Sequence, residues 1–187
     1  MKYLGTKELE TERLFLRRAT KEDSLEAYNN WCNSDIVDKY VLWKQHESQE
    51  VTFNLYSEWE KQYEEPTTFR WIVGLKDTNE LIGTIDVSKK FLKFGTCEIG
   101  YCYGEKFWNK GYATEALKAV IKYLFEECDA ELVCAEFMDN NPASGKVMAK
   151  AGLKYEGLLR SRVIDKLNRR NDLLSYSITK EEYFNQL

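Results

Sequence analysis

The residues with the clearest chemical potential lie in a glycine-containing loop between a predicted strand and a predicted helix. The strand covers residues 97–103, and the loop ends in the run Gly111-Tyr112-Ala113-Thr114. Apolar residues then recur every three or four positions as far as Cys128, which is typical of an amphipathic helix. Because the first backbone N–H groups of a helix lack partners and the helix dipole is positive there, this arrangement predicts a cradle for phosphate or pyrophosphate. An ordinary amphipathic helix that begins with glycine is the alternative.

Two common phosphate-binding motifs do not fit this loop. It lacks the Gly-Lys-Ser/Thr ending of a Walker loop and the repeated glycines of the dinucleotide fingerprint. The run from Trp108 to Ala116 instead resembles the pyrophosphate motif Q/R-x-x-G-x-G/A of the GNAT acyl-CoA N-acetyltransferases. It is most similar to the branch that holds the ribosomal-protein N-terminal (alanine/serine) acetyltransferases. Residues 9–14, Leu-Glu-Thr-Glu-Arg-Leu, resemble the start of the same branch, so the resemblance covers nearly the whole chain.

The resemblance implies an acyl donor, an acceptor and a set of binding residues. The donor is acetyl-CoA, and the acceptor is an amine, either a protein N-terminus or a small molecule. Trp108 stands where the motif has Gln or Arg, which removes one side-chain contact to phosphate. The residues implied in cofactor binding are Tyr101, Tyr103, Trp108, Asn109, Lys110, Gly111, Tyr112, Ala113, Thr114 and Asn141.

Acetyl transfer from a thioester to an amine requires that the amine lose a proton, and the departing thiolate gains from a proton or hydrogen bond. Glu98 resembles the general base of several GNAT enzymes, with a structural or exposed carboxylate as the alternative. The family's usual acid, a tyrosine in N-x-x-A-x-x-x-Y, is replaced by Met148. In the branch that this sequence resembles, a serine of the pattern N-x-x-S acts beside the leaving thiol instead. Ser144 has the same spacing from Asn141. Asparagine before proline is also an ordinary start of a helix.

The elements that position these residues follow from apolar periodicity and turn residues. Their order predicts one α/β domain over residues 1–187, with a mixed, mostly antiparallel sheet of about seven strands flanked by helices. The resemblance implies that two neighbouring strands splay apart and that the pantetheine arm lies between them. Strands are predicted at residues 13–17, 69–75, 81–87, 97–103, 132–137, 155–164 and 171–178, and helices after Thr20, at 47–63, at 113–128, at 140–151 and after Thr179.

The first two helices are predicted to form a wall on the acceptor side. In the second, Val51, Leu55, Trp59 and Tyr63 are four residues apart and form an apolar stripe.

The composition limits the cellular compartment, the partners and the metal sites that can be expected. The chain has 187 residues, a net charge of −4 and five cysteines, none in a C-x-x-C pair, so buried thiols in a reducing compartment are expected. We expect a cytoplasmic protein without a membrane span, and nucleic acid is an unlikely partner at this charge. The single histidine, His46, lies in a polar stretch, and no metal site is expected.

Two other functions and the oligomeric state stay open. The first alternative is a non-catalytic acyl-CoA-binding regulatory or interaction module. It is suggested by Trp108 and Met148, which stand where the family usually has other side chains. The second alternative is a ribosome-associated factor that binds through a basic cluster on the last predicted hairpin. If the cluster has no partner, it is simply the solvent-exposed tip of the hairpin. A homodimer is implied by the resemblance alone, and the sequence does not identify the amine acceptor. The basic cluster consists of Arg160, Arg162, Lys166, Arg169 and Arg170.

Overall fold

A computed structural model describes residues 1–88 and 91–186, and in this part of the chain eight strands form one sheet. The strand order is β1-β2-β3-β4-β5-β6-β8-β7, and only β5 and β6 run parallel to each other. The strands are β1 Leu9–Glu10, β2 Leu14–Arg17, β3 Arg70–Leu75, β4 Leu81–Ser88, β5 Thr96–Tyr103, β6 Leu132–Met138, β7 Lys154–Ile164 and β8 Arg170–Thr179.

The helices cover both faces of the sheet. They are α1 Ser24–Ala27, α2 Asp35–Asp38, α3 Gln49–Gln62, α4 Tyr112–Glu126, α5 Pro142–Lys150 and α6 Lys180–Phe184. A 3₁₀ turn, Lys21–Asp23, leads into α1, and a π turn, Tyr28–Cys32, follows it. None of the described helices is both long and apolar enough to cross a lipid bilayer.

Two hydrophobic cores lie on opposite faces of the sheet. The larger one packs α4 and α5 on the sheet and includes Trp71 and Val73 of β3. The smaller one lies under α1 to α3, where Ile72 of β3 meets Tyr56. Successive strand residues point to opposite faces, so β3 is buried on both sides, which explains its continuous apolar sequence.

The predicted α/β class is confirmed, with eight strands in place of about seven. The additional strand, β1, has only two residues, too few for alternation to be detected in the sequence. It is recognised only by its pairing with β2, in which Leu9 opposes Leu16.

The predicted apolar stripe of α3 is correct in its second half and wrong in its first. Trp59 packs against the smaller core and Tyr63 is 9% exposed, but Val51 and Leu55 are 45% and 36% exposed, and Thr52 and Tyr56 are fully buried in their place. Apolar residues occur at adjacent positions of this helix, so the spacing fits either face. Contact with α1 decides which face is buried, and Tyr56 is the residue that enters the smaller core.

The predicted splay is present between β5 and β6. They pair only at Thr96 with Leu132, Cys97 with Val133 and Glu98 with Cys134. Beyond that point β5 stays beside β4 as far as Tyr103, while β6 follows β8. A wedge therefore opens between residues 99–103 and 135–138, and it faces the start of α4.

Candidate active site

A cavity of about 490 Å³ opens in the splay and extends to the first turns of α4 and α5. Val37, Tyr40 and Val41, in and after α2, form its far wall. Of the residues predicted from the sequence, the cavity is lined by Tyr101, Tyr103, Trp108, Asn109, Gly111, Tyr112, Ala113, Thr114, Asn141 and Ser144.

The loop before α4 has the backbone of an anion cradle. Asn109 and Gly111 both have left-handed backbones, with φ of 60° and 84°. Such a turn aims successive N–H groups toward one point. No side chain in the described part of the chain caps α4, so its first N–H groups remain available at the cavity. A Cβ at Gly111 would lie 3.3 Å from Nη2 of Arg13, which leaves little room for a side chain there.

Arg13 and Glu115 anchor this loop, a role that the sequence analysis missed. Nη1 of Arg13 donates to the carbonyl oxygen of Lys110 at 3.0 Å, and its Nε donates to Glu115 at 2.7 Å. The hydroxyl of Thr11 donates to the same carboxylate at 2.6 Å. Burial raises the pKa of Glu115, but the hydrogen bonds from Thr11 and Arg13 outweigh it and hold the pKa below its usual range. The available signal was the Thr11-to-Leu14 run, which the resemblance had already singled out.

Two residues of the predicted motif make contacts that the sequence analysis did not anticipate. Lys110 is not among the residues that line the cavity, and it contributes its carbonyl oxygen to Arg13. Trp108 lies against the cavity, but its indole N–H donates to the carbonyl oxygen of Tyr103 at 2.7 Å. The tryptophan therefore supports the end of β5.

The start of α5 brings Asn141 and Ser144 to the cavity. The side chain of Asn141 makes no capping hydrogen bond to α5, unlike an ordinary helix cap. The hydroxyl of Tyr101 donates to the carbonyl oxygen of Ser144 at 3.1 Å, and burial raises the pKa of Tyr101, which keeps this donor protonated. Met148, at the position of the family's usual tyrosine, is 2% exposed and packs in the larger core.

Glu98 lies beside the cavity and not in its lining. It occupies the last paired position of β5 before the splay, opposite Cys134. Its Oε2 atom is buried and has no hydrogen-bond partner in the described residues. A carboxylate in this position has unused capacity to accept a proton or a hydrogen bond.

Two more carboxylates share the face of Glu98 and were missed from the sequence. Asp86 of β4 pairs with Gly100, two residues beyond Glu98, and Glu136 lies two residues beyond Cys134. Alternation along each strand places all three side chains on the α3 face. Burial raises the pKa of Asp86, although the nearby Arg70 opposes the shift. Strand register was needed to find this relationship.

Comparison with known proteins agrees with this architecture. A family model described as an acetyltransferase (GNAT) domain matches residues 13–154. YoaA of Bacillus subtilis (strain 168), described as an uncharacterized N-acetyltransferase, is 33% identical over 152 residues, which are 81% of this chain and 85% of that protein. The solved structure of a GNAT-family acetyltransferase from Bacillus anthracis is 29% identical, covers 94% of this chain and 99% of that chain, and has a TM-score of 0.82.

A third relative belongs to the branch that the motif resembles. The [ribosomal protein uS5]-alanine N-acetyltransferase of Escherichia coli (strain K12) is 32% identical over 89 residues, which are 47% of this chain and 46% of that protein.

The chain belongs to the GNAT acetyltransferase family. It is an acetyl-CoA-dependent N-acetyltransferase, with acetyl-CoA as the acyl donor. The described residues fit this donor, since an uncapped helix start, a left-handed glycine and an open wedge meet in one cavity. In residues 1–88 and 91–186 there is no group of three or more His, Cys, Asp or Glu side chains that could hold a metal ion.

Proposed function

We propose that this protein transfers the acetyl group of acetyl-CoA to a primary amine by direct attack on the thioester. One observation carries the proposal: a single cavity joins the N-terminus of α4 to the first turn of α5 through the splay. A CoA with its pyrophosphate at Gly111 and its pantetheine arm along β5 would bring its sulfur toward Ser144. The thioester is already activated, so no covalent protein intermediate is needed.

Each step has a residue to support it. Backbone N–H groups of residues 111–114, which line the cavity, hold the pyrophosphate, and the Asn141 amide binds the pantetheine arm. Glu98, directly or through water, takes the proton of the acceptor ammonium, and the amine nitrogen then attacks the thioester carbon. The C–S bond breaks, the attacking nitrogen loses a second proton, and that proton, passed through the hydroxyl of Ser144 or water, converts the departing thiolate into the CoA thiol. The products are an amide and free CoA thiol.

The acceptor is a protein N-terminal α-amine or a small-molecule amine. Similarity to the uS5-alanine N-acetyltransferase over nearly half of the chain supports the N-terminal amine. An α-amino group has an ordinary pKa of about 7.7–8.0, against about 10.4 for lysine, so it needs only a weak base. This suits a site whose base is a single carboxylate.

The first experiment measures thermal unfolding with and without acetyl-CoA. A ligand at about 100 times its Kd stabilises the folded state by about 2.7 kcal/mol. The variant Gly111→Glu places a side chain and a negative charge in the cradle, so the stabilisation should be lost. Lys118→Glu, on the exposed face of α4, is the control and should keep it. Absence of stabilisation in the native protein would remove the proposed donor site.

The second experiment measures release of CoA thiol with a panel of amines. Loss of an acid or base costs roughly 10²–10⁴ in rate, so Glu98→Gln and Ser144→Ala should each reduce kcat strongly. Glu64→Gln and Ser57→Ala, on or after α3, are matched controls that should leave kcat unchanged. Native kcat in both site variants would contradict the assigned roles.

One observation favours a second candidate, an acyl-CoA-binding module without turnover. Met148 is buried in the core, and Trp108 directs its indole N–H to Tyr103, so both expected side-chain groups are replaced. Such a module would be stabilised by acetyl-CoA but would release no thiol with any amine. A ribosome-associated role gains less support, because Lys166 and Arg169 of the basic cluster are already paired with Asp38 and Asp165.

A further inference from the structure

We propose that Lys146 and Lys150 of α5 form a subsite for the 3′-phosphate of the acyl donor. The protein then discriminates against thioesters that lack this phosphate. The subsite rests on the proposed donor site in the splay, and it adds the outer end of that site, two binding residues and the chemical class of the donor.

The cavity that enters the splay also has an outer part along α5. β5 and β6 are parallel, and α4 and α5 are the α-helices that follow them, so both helices begin at the same edge of the sheet and pack against each other. From this edge the cavity is lined by Ser144 and then by α5 as far as Lys150, six residues further on. Six residues of an α-helix rise about 9 Å. The cavity therefore continues beyond the strands for nearly two helical turns.

The lining of this cavity is positively charged. Among the described residues that line it, Lys146 and Lys150 are the only Lys, Arg, Asp or Glu side chains. The helix that carries them has no acidic residue. Glu115, in the first turn of α4, is paired with Arg13 at 2.6 Å. The positive lining is not explained by the composition, because the whole chain has a net charge of −4.

The two lysines are available to an anion. In the described part of the chain neither Lys146 nor Lys150 has an ion-pair or hydrogen-bond partner, and both are exposed. They are four positions apart on one helix face, where Cβ atoms lie about 5–6 Å apart and like charges are mildly destabilising. A phosphomonoester carries a charge of about −1.5 to −2 at pH 7 and has three acceptor oxygens. Such a group can neutralise both ammonium groups at once.

The position of the pair favours the 3′-phosphate over the pyrophosphate. In the proposed donor site the pyrophosphate meets backbone N–H groups at the start of α4, and the thioester lies in the splay near Ser144. The remaining end of the donor is its nucleotide, whose ribose carries the 3′-phosphate. The part of the cavity that is left for the nucleotide is the outer part, which Lys146 and Lys150 line.

This subsite defines the class of acyl donor. A thioester of CoA carries the 3′-phosphate, whereas a thioester of 3′-dephospho-CoA lacks it. The phosphopantetheine arm of a carrier protein has no nucleotide at all. Only the CoA thioester can bind both lysines, so the donor is a free CoA thioester and not a carrier-bound acyl group.

Titration calorimetry tests the subsite with CoA and 3′-dephospho-CoA, which differ only in the phosphate. The native protein should bind CoA at least about tenfold more tightly. Because both lysines are exposed, Lys146→Gln and Lys150→Gln should each weaken CoA binding only about three- to fivefold, and the double variant about ten- to twentyfold. The Kd of 3′-dephospho-CoA should change less than about twofold in all three variants.

Matched variants separate charge from structure. Glutamine has nearly the helix propensity of lysine, so the variants should fold like the native protein. The double variant Lys146→Arg, Lys150→Arg keeps both charges and should keep the preference for CoA. Lys21→Gln, at an exposed position on the α3 side of the sheet, is the control and should bind both ligands as the native protein does.

Two calorimetric results would overturn the subsite. One is equal affinity of the native protein for CoA and 3′-dephospho-CoA. The other is equal weakening of both ligands in the double glutamine variant, because a structural change would affect them alike. Failure of the native protein to bind either ligand would instead refute the donor site itself.

Initial rates of CoA thiol release give an independent measurement with any amine that the native protein accepts. The double glutamine variant should raise KM for acetyl-CoA about ten- to twentyfold and leave kcat and the acceptor KM within about twofold, since the lysines lie away from the thioester. Acetyl-3′-dephospho-CoA should give the same KM in both proteins. A higher acceptor KM with an unchanged KM for acetyl-CoA would assign the lysines to the acceptor and overturn the subsite.

Discussion

The hydroxyl of Tyr101 donates a hydrogen bond of 3.1 Å to the carbonyl oxygen of Ser144. The bond crosses the splay, where β5 and β6 are no longer paired, and it joins β5 to the first turn of α5. The spacing of the two sides of the cofactor wedge therefore depends partly on a side chain. The same hydrogen bond holds the backbone of Ser144 in a fixed position relative to β5.

Tyr101→Phe is expected to loosen the wedge. Loss of this hydrogen bond should lower the free energy of unfolding by about 1 kcal/mol and raise KM for acetyl-CoA several-fold, with a smaller change in kcat. Urea unfolding and initial-rate kinetics measure both effects. Tyr155→Phe, at an exposed position of β7, is the control and should behave as the native protein. Native KM in Tyr101→Phe would show that the bond does not position α5.

Glu115→Gln is expected to weaken the anchor of the loop before α4, the proposed pyrophosphate cradle. The carboxylate accepts from Thr11 and Arg13, and its side chain is 19% exposed against 45% for Arg13. Partial exposure limits the loss, so the free energy of unfolding at pH 7 should fall by about 1–2 kcal/mol. Acetyl-CoA should also bind more weakly, because Arg13 holds the carbonyl of Lys110. Glu131→Gln, an exposed position before β6, is the control.

The same variant predicts a pH dependence. The pKa of Glu115 is lowered in the folded state, so its contribution is complete above the ordinary glutamate pKa of about 4.3 and is lost as pH falls through the folded-state pKa. The stability difference between native protein and Glu115→Gln should therefore shrink from pH 7 to pH 3. Urea unfolding across this range measures it, and a constant difference would contradict the assignment.

Two glycines in the β4–β5 ladder should be destabilised to different extents by substitution with alanine. A Cβ at Gly83 would lie 2.2 Å from the carbonyl oxygen of Cys102, a backbone atom that cannot move freely. Among the described residues, a Cβ at Gly100 meets only the Asp86 carboxylate. Gly83→Ala should destabilise by at least about 2 kcal/mol, and Gly100→Ala by less than about 1 kcal/mol. Thermal unfolding of both variants checks the contrast. Equal Tm values would show that the ladder relaxes around Gly83.

His46 predicts a second loss of stability on acidification, in a higher pH range than that of Glu115. Burial lowers its pKa, and its Nδ1 lies 2.8 Å from Oγ1 of Thr52. The folded state therefore disfavours the imidazolium, so stability is complete above the ordinary pKa of about 6.5 and decreases as pH falls below it. Unfolding free energy should drop from pH 7.5 to pH 5.5 in the native protein and less in His46→Asn. Parallel pH profiles would exclude this role.

The sequence by itself determined the family, the order of most elements and the position of the glycine-containing loop before α4. These features are local. A left-handed turn at Gly111 and the 3.6-residue periodicity of α4 depend on neighbouring residues, so they can be read from a short segment. The run from Trp108 to Ala116 also provided the family resemblance, and the splay was predicted from that resemblance. Asn141 and Ser144, which the structure brings to the same cavity, were singled out through that resemblance from a short spacing.

Only the tertiary structure decided how distant segments meet. Arg13 and Glu115 are 102 residues apart, and no periodicity links them. The buried face of α3 depends on what packs against it, so Tyr56 replaces Leu55 in the core. Asp86, Glu98 and Gly100 share one face because of the β4–β5 register, which backbone hydrogen bonds and core packing fix together. Local sequence sets each strand's alternation, but the register that brings two strands' side chains together is a non-local property.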